Sequence, residues 1–259
     1  MSPIRQRPPT ADLAPALALM AASSEGRSPL GPLRGTIAPG ERLAILGAGG
    51  RDLLHWWVRL ADPHHGQVLA LGQPVQAIDP LILRRQVALV RGDAPLLALT
   101  VAEALAAPLR WAGQSPVAIE AQVLAALDRF GLDRSWLARR DFQLSPVDRL
   151  WVALVRASLW EPAVLLLDDV WPRLPEDQGD RLQQIFEAGW GAEGATPTVV
   201  VVGPVTTPLT RWVTRVWLLD GGQLTRDCPV GDWDWSAWGN PVDPTATPSE
   251  GADPDADWF

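Results

Sequence analysis

The sequence predicts an α/β domain built on a buried parallel sheet, with a helical insert and a loose acidic tail. Three observations predict it. Residues 144–169 (LSPVDRLWVALVRASLWEPAVLLLDD) run from the turn signal Ser145-Pro146 through an apolar, arginine-bearing helical stretch to a break at Glu161-Pro162. They continue into the apolar run 163–167, closed by Asp168 and Asp169. A short apolar run between a breaker and acids reads as a strand buried on both faces, and a helix leading into it is half of an α/β unit. Residues 41–47 (ERLAILG) form a second such run, followed by a glycine-rich turn and by 51–60 (RDLLHWWVRL) with helical spacing. The chain has 259 residues, 47% of them hydrophobic. That is enough for one α/β domain with a large core and a helical subdomain.

In chain order, residues 1–12 form a flexible N-terminus. Residues 13–22 and 33–38 read as strands of a flanking sheet, and Pro39-Gly40 turns the chain into 41–47. The run 13–22 is short and reads as a strand rather than as the core of a leader. Pro63 and Gly66 end the unit begun by the 51–60 helix; 67–71 is a strand, Gly72-Gln73-Pro74 a turn and 86–90 a further strand. The pattern then turns helical at 101–111, 117–130 and 135–140, so a helical subdomain occupies about 95–160. Beyond it, 175–188 reads as a helix and the β-branched 198–202 as a buried strand. Residues 212–219 and 223–225 read as closing strands around Gly221-Gly222. The domain spans 13–226. Residues 227–259 are rich in Pro, Gly and Asp and carry Trp233, Trp235, Trp238 and Trp258-Phe259 without periodicity, which reads as a disordered tail. Most of the remaining tryptophans, Trp56, Trp57 and Trp111 among them, sit in apolar segments and read as core or as places where helices meet a partner.

Charge and cysteine usage narrow the function. The net charge is −8, and eight acids with no arginine lie beyond Arg226, so residues 1–226 balance to zero. That excludes nucleic-acid binding by charge. No apolar run reaches the roughly 18 residues of a membrane span. The single cysteine, Cys228, excludes an internal disulfide and suits a reducing compartment. The chain contains no lysine and no tyrosine.

The stretch 144–169 resembles the core of the ABC-type ATPases, in which LSGGQ opens a helix with an RVALARAL-like run and a strand ends in LLLLDEP. Leu144 and Ser145 match the signature, Val152-Ala153-Leu154-Val155-Arg156-Ala157 the helix, and Leu165-Leu166-Leu167-Asp168 the Walker B strand. Strand, glycine turn and helix at 41–60 are the context that a phosphate loop needs. The similarity spans about 13–226. It implies a P-loop NTPase-like fold of three layers, with the helical subdomain of such ATPases.

At the chemical positions the chain departs from that family. A phosphate loop uses backbone amides, a helix N-terminus, a lysine and a hydroxyl. This chain has Gly47-Ala48-Gly49-Gly50-Arg51-Asp52, three residues short when anchored on Leu53-Leu54 and Gly66. Gly50 then falls at the lysine and Arg51 at the Ser/Thr; a shifted anchor puts Arg51 at the lysine. Arginine does not supply a compact ammonium, and Asp52 repels phosphate. The plainer reading is a tight βα turn with vestigial Gly47, Gly49, Gly50 and Arg51. Counting back to the adenine-stacking aromatic reaches Ser24, and no aromatic precedes Trp56. Gly92 stands where a glutamine would reach Mg²⁺, beside Arg91, which suits a structural salt bridge. In the signature, Pro146 removes an N–H, Val147 adds bulk and Asp148 adds negative charge. Ser145 therefore reads as a helix cap with Pro146 at the first helical position. Asp168 is a vestigial metal ligand, and Asp169 replaces the catalytic glutamate with a shorter carboxylate. Pro175 and Pro204 replace an inter-subunit aspartate and a γ-phosphate histidine.

The resemblance, with these losses, implies a noncatalytic ABC-type ATP-binding-protein homologue. It would be cytoplasmic, peripheral at the inner membrane face, and a structural or regulatory subunit beside an ABC permease, an active ABC ATPase or both. Arg91, Arg110 and Trp111 are the interface candidates, and the tail suits a tail-binding protein. No cofactor is expected. ATP and Mg²⁺ enter only under the alternative of a functional ATPase subunit with unusual motifs. A second alternative is a soluble adaptor that uses its acidic aromatic tail.

Overall fold

The computed structural model describes residues 14–26, 28–93, 95–96, 100–190, 194–204 and 206–235. In chain order these form β1 (Leu17–Ser24), β2 (Leu30–Ile37), β3 (Arg42–Leu46), α1 (Gly50–Trp57), β4 (His65–Ala70), β5 (Gln73–Pro74), α2 (Pro80–Gln86) and β6 (Val87–Arg91). There follow α3 (Val101–Trp111), α4 (Pro116–Arg129), α5 (Pro146–Ser158), β7 (Val164–Asp168), α6 (Glu176–Ala188), β8 (Thr198–Val202), α7 (Thr207–Trp212), β9 (Arg215–Asp220) and β10 (Gln223–Pro229). An antiparallel sheet has the order β2-β1-β4-β5; a second sheet has the order β10-β9-β3-β8-β7-β6 and is parallel except for β10.

Period-two alternation on the second sheet makes two cores. Leu43, Ile45, Leu166, Val200 and Trp217 face the antiparallel sheet and α1. Ala44, Leu46, Leu165, Leu167, Val199 and Val201 face the helices α3 to α7. Antiparallel sheet, parallel sheet and helices are the three predicted layers.

Local chemistry starts the helices. Asp79 accepts from the amides of Leu81 and Ile82 with Pro80 at the first helical position, which makes α2, an element the sequence pattern did not announce. Thr100 and Glu103 form a capping box on α3, with Glu103 N–H donating to Thr100 Oγ1 at 3.2 Å and Thr100 N–H to Glu103 Oε2 at 2.9 Å. The bond from the Thr100 backbone lowers the Glu103 pKa below its ordinary value. Helices α3, α4 and α5 fall where the pattern predicts them. The predicted helix at 135–140 is instead a 3₁₀ turn, Arg134–Ala138, opened by Asp133 accepting from Ser135 N–H at 2.7 Å.

The expected strand at 212–219 is corrected. Residues up to Trp212 belong to α7, and β9 begins at Arg215. The Trp212 indole donates to Glu187 Oε1 at 3.1 Å and stacks on Trp171 with ring centroids 5.1 Å apart. Those contacts hold it against α6 rather than in the sheet.

The domain boundary at 226 is corrected as well. β10 runs on to Pro229, Asp227 accepts from Arg215 at 2.5 Å on each oxygen, and Trp233 is 6% exposed with Arg226 5.0 Å from its ring centroid. Its indole joins the helix-side core. The remainder of the predicted tail, 236–259, and the N-terminal 1–12 lie outside the described residues.

Trp233→Ala should therefore behave as a core truncation and lower the unfolding free energy by about 3 kcal/mol. Urea denaturation followed by circular dichroism measures it; a change below about 0.5 kcal/mol, as for surface substitutions, would return the boundary to 226.

Candidate functional site

Parallel strands end with their carbonyls at one edge, where open α/β sheets place ligands. At that edge lie the turn after β3, Asp168 at the end of β7, Gly203 after β8 and Arg91-Gly92 at the end of β6.

The glycines of the first turn answer to packing. Gly47 has φ 88° and a Cβ there would collide with the Leu219 carbonyl oxygen. Gly49 has φ 95° and its Cβ would come 2.5 Å from Leu30 Cδ2. Gly50, buried at the start of α1, faces Val202 Cγ1 at 3.0 Å from an ideal Cβ. The turn is pressed onto β9, β2 and β8.

Arg51, one residue on, reaches across the sheet edge. Its Nε sits 2.9 Å from Asp168 Oδ2, with the arginine side chain half exposed and the aspartate 3% exposed. A buried carboxylate without a partner is costly, and Arg51 supplies the cation from within the chain. Asp169 is engaged by a second arginine: Arg173 Nε and Nη2 lie 3.0 Å and 2.6 Å from its Oδ2, and Nε also donates to its carbonyl at 3.1 Å. Asp169 has φ 55° and donates its N–H to Val202 O at 2.8 Å.

Gly92 closes this cluster. Its N–H donates to Asp168 O at 2.8 Å, and a Cβ there would strike the Asp169 carbonyl oxygen and stand 2.5 Å from Arg173 Nε. Arg173 thus fills the space into which a side chain at position 92 would project. The structure brings together Arg51, Asp168, Asp169, Gly92 and Arg173.

Ser145 has local work. Its hydroxyl accepts from Asp148 N–H at 3.1 Å and its N–H donates to Asp148 Oδ2 at 3.2 Å, a capping box at the start of α5. Arg91 pairs with Asp93 at 3.0 Å, both half exposed, the structural salt bridge that its position suggested. Arg110 is exposed in the last turn of α3 and Trp111, beside it, is 82% exposed.

Trp111 and Arg91 also line a groove of about 560 Å³ between β6, α2, α3 and α5, walled by Leu81, Leu89, Leu96, Pro108 and Trp160. This groove was not legible in the sequence, because its walls are distant in the chain. Arg173 was missed too; its only signal is its place four residues after Asp169. Among the described residues no group of three or more His, Cys, Asp or Glu is arranged to hold a metal ion, and no helix is long and apolar enough to cross a membrane.

Comparison with known proteins adds lineage to this geometry. The ABC transporter family model matches residues 30–171. A methionine import ATP-binding protein of Pseudomonas aeruginosa is 31% identical over 212 residues, covering 78% of this chain and 62% of that protein. One from Xanthomonas campestris is 31% identical over 209 residues, covering 78% and 61%. The chain thus spans about three fifths of the length of these curated relatives. Among solved structures, cbiO1 of Clostridium perfringens, part of an ABC transporter complex, superposes with TM-score 0.72 at 18% identity, covering 84% of this chain and 89% of that one. A dimeric bacterial ABC transporter cassette gives TM-score 0.69 at 21% identity, with 83% and 98% covered. At those identities the likeness speaks for the fold.

Two outcomes follow from the cluster. Gly92→Gln, which restores the familial residue, should destabilise the fold by about 1–3 kcal/mol through overpacking against the Asp169 carbonyl. Arg51→Ala should cost about 1–3 kcal/mol by leaving the buried Asp168 carboxylate unpaired, and Arg51→Lys less. Chemical denaturation at neutral pH reads both; a Gly92→Gln protein as stable as the parent would show that the pocket is open.

Proposed function

This chain belongs to the ABC transporter family, and from that premise we propose that it is a noncatalytic member, a structural or regulatory subunit of an ABC transporter. The observation that carries this reading is the pair of internal guanidiniums at the sheet edge. Arg51 holds Asp168 at 2.9 Å and Arg173 holds Asp169 at 2.6 Å. The two carboxylates that the resemblance gives to the metal and to the attacking water are already partnered by the chain itself.

The residues present do not fit a magnesium nucleotide. The chain has no lysine to reach the outer phosphates and no aromatic before Trp56 to stack on adenine. Stacking on aromatics is worth about 1–3 kcal/mol for a base. Gly92 offers no side-chain ligand, and a longer residue there meets Arg173. Ser145 spends its hydroxyl on Asp148 N–H, with Pro146 removing a neighbouring donor.

The kept parts suit docking. The helices of 101–158 retain their caps and their core, and the groove beside them exposes Trp111 and Arg91. The reading places a membrane permease segment or an intact ATPase against this face, with the chain cytoplasmic and peripheral to the membrane. Aromatic and arginine anchors are what such interfaces use.

The relatives' names favour a second reading, an ordinary ATPase subunit with unusual motifs. Calorimetric titration separates the two. The noncatalytic reading expects ATP binding no tighter than about millimolar, a standard free energy of about −4 kcal/mol, and no hydrolysis; micromolar, Mg²⁺-dependent binding would support the ATPase. Membrane sedimentation tests the subunit role: the parent should co-sediment or co-purify with a membrane complex or an intact ATPase. Arg91→Glu combined with Arg110→Glu should release it without unfolding it. A parent that never associates with either sinks the subunit reading in favour of a soluble adaptor.

A further inference from the structure

The groove beside β6 is lined by positive charge. Its lining holds Arg84, Arg85, Arg91 and Arg156 and no Asp or Glu; Arg91 is paired with Asp93 just outside the lining, which leaves three arginines without a carboxylate among the described residues. Arg84 donates to the carbonyls of Val58 and Arg59 at 3.0 Å and 2.9 Å, which orients it but does not neutralise it. Arg85 lies over the Trp160 ring, 4.4 Å from the centroid. Arg156 has neither an ion pair nor a side-chain hydrogen bond among the described residues, and burial pushes its pKa below the ordinary value. A guanidinium drawn out of water into an apolar wall without an anion is unfavourable. Around it, Leu60, Leu81 and Trp111 are 58%, 68% and 82% exposed. The groove thus lacks both a carboxylate and an apolar cover.

We propose that its occupant is the chain's own segment 236–259. That segment lies outside the described residues, and its sequence holds Asp243, Glu250, Asp253, Asp255 and Asp257, no arginine, and the aromatics Trp238, Trp258 and Phe259. It combines the missing charge with the missing apolar cover. Its carboxylates pair with Arg156 and Arg85, and its aromatics cover Trp111 and Leu81. Reach is sufficient. The described chain ends at Trp235 beyond β10, at the sheet edge opposite β6. Six strands about 4.8 Å apart span about 24 Å. The segment, extended at about 3.3 Å per residue, reaches about 80 Å. Tethering supplies an effective concentration of about millimolar, so a weak intrinsic contact is enough to fill the groove. Because Arg91 and Trp111 belong to this groove, the docked segment competes with the partner proposed above. That regulatory consequence rests on the subunit reading; the docking itself does not.

Pulsed dipolar electron resonance on the full chain tests it. In a Cys228→Ser background, nitroxides are placed at Ala61→Cys, beside the groove residue Leu60, and at Ala252→Cys in the segment. Docking predicts a narrow distance component. It should be lost in about 1 M salt, where the Debye length falls to about 3 Å. It should weaken about tenfold or more when Asp253, Asp255 and Asp257 are changed to Asn, given about 1.5 kcal/mol or more for a close charge pair. Arg156→Glu should abolish the narrow component as well; the Asn changes, made outside the described residues, keep the test valid if that variant fails to fold. A distribution as broad as a free chain, or a narrow one that ignores the Asn changes, overturns the proposal. A narrow component that appears between singly labelled molecules as concentration rises makes a second copy the occupant and overturns it as well. A free segment in a protein that still co-sediments with membranes defeats the docking and leaves the subunit reading standing.

Discussion

The Asp168 carboxylate, 3% exposed at the end of the central strand β7, is the constraint around which the sheet edge is arranged. Strands buried on both faces leave polar groups nowhere to go but their ends. The carboxylate that ends β7 needs a cation, and Arg51 delivers one from the first turn of α1. That places the start of α1 against the sheet edge, and the short glycine turn before it is pressed onto Leu30, Leu219 and Val202 as a result. Asp169, the next residue, turns out of the strand at φ 55° and takes Arg173, whose side chain needs the empty space that Gly92 leaves. Arg51 with Asp168, and Arg173 with Asp169 and Gly92, thus fit one another as one packed edge.

Arginine and tryptophan carry a second theme. All basic side chains other than histidine are arginine. Guanidiniums lie over indole rings at Arg42–Trp212, Arg85–Trp160, Arg139–Trp136, Arg181–Trp151, Arg215–Trp217 and Arg226–Trp233. A planar, weakly hydrated cation stacks on an aromatic face and still donates at its edges, which an ammonium does not do. Arg215 shows both uses: it lies over Trp217 and donates to Asp227, Glu41 and Thr36 O, and its bonds to Asp227 foremost raise its pKa. The same pairing extends the domain beyond the boundary that composition suggested, because Arg226 covers Trp233. In the groove the pairing is incomplete: Arg85 lies over Trp160, while Trp111 stands open and Arg156 stands without an anion.

Sequence by itself determined the three layers, the helical insert and the absence of lysine. Its reach comes from local physics. The apolar run 163–167 and the β-branched run 198–202 read as buried strands from composition and flanking breakers, and Ser145-Pro146 reads as a helix start. Composition alone settled that no lysine and no early aromatic exist. Tertiary structure decided what the sequence left open: that Arg51 serves Asp168, that Arg173 occupies the space beside Gly92, that Trp212 belongs to a helix packed on Trp171, and that Asp227 and Trp233 are part of the domain. These depend on side chains from segments more than a hundred residues apart in the case of Arg51 and Asp168, and no local pattern encodes which guanidinium a buried carboxylate will meet. The groove is of the same kind, since α2, β6, α3 and α5 each present an ordinary face and only their packing leaves four arginines around an apolar hollow.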